Sequence, residues 1–249
     1  MKYIFWAVLI FPWGGIFFPE SALGLQLPEV NLNFSGDNQP EQASVLLQIL
    51  FLLTVLSVAP AIVLMTTSFV RIVIVLSFIR QAMGTQQMPP NQVIIGLAIF
   101  LTFFIMAPIL GQINSQAIQP YLNQQIGDQE ALNQAVQPMR KFMFAQVREK
   151  DLQLLVDITQ SDPPQTRQDI DTLTLIPAFM LSEIKRAFQI GFMIFVPFLV
   201  IDMVTASVLM SMGMLMLPPI IISLPFKVLL FVLVDGWHLV VQSLVQSFM

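Results

Sequence analysis

The stretch QVIIGLAIFLTFFIMAPIL, residues 92–110, carries no charged side chain and meets its one proline only at position 108. As a helix rising about 1.5 Å per residue it would reach about 28 Å, close to the hydrocarbon thickness of a bilayer. Working outward, further apolar segments run over residues 45–65, 190–209 and 220–245, with a shorter run, Ile72 to Ile79, set between Arg71 and Arg80. Prolines sit inside or near every long segment, at Pro60, Pro108, Pro197 and Pro225. Such helices are predicted to kink and to rely on neighbours that satisfy the freed backbone groups.

Composition agrees with this pattern. Of 249 residues, 56% are hydrophobic and 10% charged, and the mean hydropathy is +0.77. Soluble domains average about 25% charged residues, so the chain belongs with integral membrane proteins. A net charge of -4 gives no basis for nucleic-acid binding, and the absence of cysteine removes disulfides and thiolate metal sites. Gly-rich phosphate loops, H-E-x-x-H and G-x-S-x-G are all missing, so the sequence predicts no enzyme, no cofactor and no metal.

The opening MKYIFWAVLIFPWGGIFFPESALG ends at Ala22-Leu23-Gly24, small residues in the pattern of a signal-peptide cleavage site. Its alternative is a first helix that stays attached; the interrupting Pro12, Gly14, Gly15 and Pro19 favour cleavage. The organisation predicted is a signal peptide over 1–24, a polar linker over 25–44 and a first helical hairpin over 45–111. A helical insert with the start of the next helix follows over 112–189, then a second hairpin over 190–249. Within the insert, QPMRKFMFAQVREKDLQLLVDI is predicted as a helix opening at Pro138 and ended by SDPP at 161–164. The loop GTQQMPP at 84–90 has positive nearest charges and reads as cytoplasmic, which places the insert on the opposite side.

Between the last two apolar segments lies MSMGMLMLPP, residues 210–219, with Met210, Met212, Met214 and Met216 at alternate positions around Gly213. On a helix Met210 and Met214 would share one face and Met212 and Met216 the other; on an extended backbone all four would share one side. A soft lining to a water-filled passage and a gap-filling turn between buried helices both fit.

Asp202, Lys227 and Asp235 fall inside apolar segments, where an unpartnered charge costs about 3 kcal/mol on the lenient insertion scale. A proton or ion relay including His238, salt bridges between subunits, or a position outside lipid each account for them. Glu183, Lys185 and Arg186 precede the third apolar segment as a solvated helix start or a docking surface, with Glu183 able to pair with Arg186 at i, i+3.

PAFMLSEIKRAF (177–188) and PFKVLLFVLVDGW (225–237) closely resemble the two signature segments of the flagellar biosynthesis protein FliP family, the P subunit of the flagellar type III secretion export gate. Residues 67–106 and 196–219 look like the rest of that family's core, and the resemblance covers roughly residues 44–249. It implies an all-α, membrane-associated subunit of a helical conical pore, built from kinked long apolar helices with a small helical periplasmic insert. A pentamer would join the Q and R export-gate subunits and other basal-body components in the bacterial inner membrane, protruding on the periplasmic side and passing unfolded flagellar proteins. Met210, Met212 and Met214 match the family's methionine gasket, and Met216 continues it. The resemblance further implies interface roles for Glu183, Lys185, Asp202, Lys227 and Asp235. For the insert, residues 112–176, the apolar-faced helix near Phe142 and Leu155 predicts contacts that start periplasmic oligomerisation. The rival reading is a secondary transporter or proton channel using Asp202, Lys227, Asp235 and His238.

Overall fold

The computed structural model describes residues 39–85, 88–159, 166–214 and 216–248. The expected signal peptide, most of the linker and the SDPP terminator lie outside them. The described chain is all-helical, as expected. Its elements are α1 (Gln39–Met65), α2 (Phe69–Ala82), α3 (Asn91–Ile113), a π-turn (Asn114–Ile118), α4 (Gln119–Leu122), α5 (Asp128–Gln146), α6 (Glu149–Thr159), α7 (Thr172–Ser211), α8 (Pro219–Leu233) and α9 (Gly236–Gln246).

Two units divide after Ser57. Within the described residues the first consists of the N-terminal part of α1, whose leucines, among them Leu46, Leu47, Leu50 and Leu56, are exposed. The second unit, Val58–Met249, contains the core.

At the centre of this second unit lies α2, the short apolar run of the sequence. Ile72, Val75, Leu76 and Ile79 recur at helical spacing and are fully buried. The helix packs chiefly on α7 and α3. Its approach to α7 depends on Gly191, where an added Cβ would lie 2.7 Å from Cγ of Phe78. Phe78 meets the Phe188 ring edge-on, with centroids 5.1 Å apart. A second apolar cluster, formed by Met106, Phe142, Met143, Leu152, Leu175, Ala178 and Phe179, fastens α5 and α6 to the N-terminal half of α7.

Among the described residues three helices are long and apolar enough to cross a membrane: Leu46–Met65 of α1, the stretch Asn91–Leu122, and α7. The π-turn within the second of these precedes Pro120. Proline offers no N–H to the carbonyl four residues back and its ring crowds that carbonyl, so a locally widened turn accommodates it. The last apolar segment is not one straight helix. It breaks at Val234–Asp235 into α8 and α9, bent by 63°, with Asp235 in the left-handed region at φ 50°.

The insert helix differs from the sequence expectation. The insert helix starts ten residues before Pro138, at Asp128, because Gly127 leads in and Asp128 and Glu130 face the positive end of the helix dipole. Pro138 is accommodated in its interior, and the helix stops at Gln146 before α6 begins. The boundary at residue 189, drawn to leave the start of the next helix with the insert, lies within the unbroken 40-residue α7.

Candidate functional site

The methionine segment caps the hairpin of α7 and α8. α7 ends at Ser211 and Gly213 takes φ +75°, in the left-handed region. The Met214 N–H donates to Leu209 O (3.0 Å) and the Gly213 N–H to Met210 O (3.1 Å). This paired arrangement is a Schellman cap, which satisfies orphan carbonyls at the helix end and calls for glycine at the left-handed position. On the far side Pro218 and Pro219 open α8, where a missing N–H costs nothing. The segment is therefore neither a continued helix nor a strand. It presents Met210, Met212, Met214 and Met216 at 60%, 67%, 41% and 98% exposure, the last almost wholly free of its own chain.

Below this tip an ion pair staples the hairpin. Lys227 Nζ of α8 donates to Asp202 Oδ2 of α7 at 2.5 Å, and Ser223 Oγ donates to Asp202 Oδ1 at 2.5 Å. Lys227 is 2% exposed. Gly84, just past α2, approaches the same lysine: a Cβ there would lie 3.9 Å from its Nζ. Asp202 stands ten residues before Met212, so the staple lies about 15 Å down the helix from the methionines.

Nearer the insert is a polar hub built on a fully buried ion pair. Arg71 of α2 bonds both carboxylate oxygens of Glu183, its Nε donating to Oε2 at 2.9 Å and its Nη2 to Oε1. Nη1 donates to the backbone oxygen and the hydroxyl of Ser247 at 2.8 and 3.0 Å, and Nη2 also donates to Gln146 Oε1 at 3.0 Å. The Phe248 ring covers the guanidinium at 3.7 Å. Arg71 and Glu183 have no exposed side-chain surface, so each charge is sustained by the other and by the surrounding dipoles.

A third constellation holds α6 to α7. Arg148 forks onto Asp151 at 2.7 and 2.6 Å, and Ser182 Oγ of α7 donates to Asp151 Oδ2 at 2.7 Å. The hydrogen bonds from Arg148 hold the Asp151 carboxyl below the usual carboxylate range, and the same contact raises the Arg148 pKa.

Of the charges singled out in the sequence, Glu183, Asp202 and Lys227 are thus partnered within one chain. Glu183 chooses Arg71 rather than the i+3 neighbour Arg186, because α2 delivers a buried two-toothed donor that a helix neighbour cannot match. Lys185 and Asp235 are exposed. Asp235 occupies the corner ahead of α9 and His238 its first turn, so the two do not share the face of a single straight helix. Phe142 packs between Phe179 and Phe248, with ring centroids 5.8 and 6.3 Å away. Leu155 lies half-buried against the same cluster. Sequence reasoning missed Arg71, Gln146 and Ser247 as members of one site; Arg71 flanking a short apolar run was the available signal. Among the described residues no three His, Asp or Glu side chains gather as a metal site would require.

The FliP family profile matches residues 52–244. The chain belongs to the FliP family. It is 57% identical over 217 residues to the Flagellar biosynthetic protein FliP of Bacillus subtilis (strain 168), spanning 87% of this chain and 98% of that protein. The protein of the same name from Caulobacter vibrioides is 51% identical over 230 residues, or 92% of this chain and 85% of its own length. That from Aquifex aeolicus is 46% identical over 225 residues, 90% of this chain and 92% of the relative. The FliP match takes in all of α2 to α8, hence the Asp202–Lys227 staple, Arg71, Glu183 and the methionine tip.

Proposed function

We propose that this chain is a structural, non-enzymatic subunit of the flagellar type III protein-export gate. It acts in the bacterial inner membrane and flagellar basal body, in an assembly that protrudes on the periplasmic side. In this reading five copies join the Q and R export-gate subunits around a path for unfolded flagellar proteins, and the methionine tip seals the path at rest. One observation carries the reading: four methionines stand exposed on a glycine-capped turn between long apolar helices. A single chain has no reason to keep so much flexible apolar surface out of its own core, whereas a ring of copies can bury it. Methionine's unbranched thioether repacks at little cost, and a hydrophobic constriction closes by dewetting without a charged bolt.

The remaining charges suit contacts between copies. Lys185 and Asp235 are exposed and have no ion-pair partner in their own chain among the described residues. The insert that includes Phe142 and Leu155 adds exposed Leu154 and Ile158 on α6 as a surface on which oligomerisation starts. The transporter alternative draws little support, because Asp202 and Lys227 neutralise each other at 2.5 Å.

The test is single-channel conductance of the purified complex with its partner subunits, native against the M210A/M212A/M214A variant. A tight native pore and a leaky variant support the seal. Equal conductance in both refutes it.

A further inference from the structure

We infer that the half-open cavity beside Arg186 is a binding site for an anionic phospholipid, its phosphate on the guanidinium and an acyl chain along α7. The cavity, about 480 Å³, is lined by Arg71, Arg186, Gln189, Ile190, Phe192, Met193 and Ser247. Two guanidiniums in different states are among its lining groups. Arg71 spends its donors on Glu183, Gln146 and Ser247. Arg186 commits only Nη1, to Gln146 Oε1 at 2.6 Å, an oxygen that Arg71 already shares. The rest of its planar donor fork has no partner among the described residues, and no carboxylate there lies within ion-pair distance of it.

Charge bookkeeping then leaves Arg71, Glu183 and Arg186 at +1, next to side chains that weaken solvent screening. An oxyanion with several acceptors in a plane matches a guanidinium fork. The opening runs onto Phe192 and Met193, 64% and 74% exposed, and Ile190. A soluble anion leaves that apolar surface bare, whereas a phospholipid covers it and neutralises the cation together. Basic pockets between apolar helices hold headgroups on the same principle.

The experiment places the full-length chain in nanodiscs of phosphatidylcholine with a minor share of phosphatidylglycerol, then reads retained lipid by native mass spectrometry. The native chain should enrich phosphatidylglycerol. R186Q, which keeps an amide to meet Gln146, should lower that enrichment about ten- to a hundredfold, the range of a lost charge-assisted hydrogen bond. R186K should keep part of it, and millimolar inorganic phosphate should not displace the lipid. No enrichment in the native chain, or enrichment unchanged in R186Q, overturns the proposal. Complete displacement by phosphate does so too, since the site would then be one for a free anion. So does an R186Q chain that loses self-association but retains lipid, because a carboxylate of a second copy would be the true partner. If R186Q fails to fold, M193A on the exposed wall decides: reduced retention with the guanidinium intact supports the site, and unchanged retention refutes it.

Discussion

Replacing Arg71 by methionine tests whether the buried hub holds the second unit together. The substitution keeps an unbranched apolar stem but removes the partners of Glu183 and the Ser247 carbonyl, and one of the two donors to Gln146 Oε1, in one step. Glu183 would be left as a fully buried, uncompensated carboxylate. Breaking such a pair from one side costs about 3–5 kcal/mol. For a domain of this size each kcal/mol moves the melting midpoint by about 2–4 °C, so R71M should melt about 6–20 °C lower. The double variant R71M/E183L removes both charges and should recover part of the loss, because an apolar pair of similar volume can replace a buried ion pair at little net cost. The Ser247 carbonyl loses its Arg71 donor in both variants, which caps the recovery, while Gln146 keeps its bond from Arg186. Thermal unfolding of the detergent-solubilised chain, read by circular dichroism through a double-mutant cycle, gives the coupling directly. An R71M chain that melts with the native one, or a double variant that falls by the sum of the singles, would refute the reasoning.

The hairpin staple is asymmetric, with Lys227 buried and the Asp202 side chain 32% exposed, so D202A should destabilise more than K227M; equal melting shifts would count against it. G213V forces a β-branched side chain into the left-handed region, at a cost of at least about 1–2 kcal/mol. It should disorder the tip while leaving the ion pairs, seen as faster hydrogen exchange confined to residues near 208–214. For Asp151, Arg148 lowers the folded-state pKa, so its stabilising contribution is present above the unfolded carboxylate value, near pH 4, and is lost as pH falls through the depressed folded value. Hydrogen exchange over α6 should therefore accelerate at strongly acid pH in the native chain, and D151N should show fast exchange already at neutral pH. L154A/I158A, on the exposed face of α6, should reduce complex formation without lowering the melting point, and full-size complexes would exclude that face from assembly.

Much of the helical fold was legible because charge-free runs near 20 residues leave few alternatives, and the Gly213 and Pro218-Pro219 punctuation located the turn at the tip. The partners of the charges were not legible. Glu183 and Arg71 are 112 positions apart, and nothing in spacing indicates that α2 will run alongside α7. For Glu183, the local pairing with Arg186 is the one a helix period suggests. Pro138 misled for a related reason. A proline is commonest in the first helical turn, but the acidic start at Asp128 and the packing of Phe142 and Met143 on α7 outweigh one lost backbone hydrogen bond.

Hydropathy also concealed what the apolar length means. The 40 residues of α7 extend about 60 Å, twice the hydrocarbon core of a bilayer. Its N-terminal half buries Ser182 and Glu183 and takes the contacts of Arg71, Asp151 and Phe142, while its C-terminal half exposes Phe192, Met193, Met203 and Val204. Tilting alone cannot hide the excess: at the upper tilt of about 40° a 60 Å rod still projects about 46 Å along the bilayer normal. At least a turn-rich portion must therefore be covered by protein rather than lipid, and the half that already carries the insert and the polar hub is that portion. The exposed half then has either lipid or neighbouring copies to cover it, and it ends at the methionine tip. A helix that begins in a protein-covered insert and ends in a methionine-rich apolar turn ties the two together through one continuous element, with the Arg71 hub and the Lys227 staple fixing it at two heights. Movement of the insert can therefore reach the tip by shifting α7 as a body, by bending it at Pro197 between the two ion pairs, or by breaking one of those pairs.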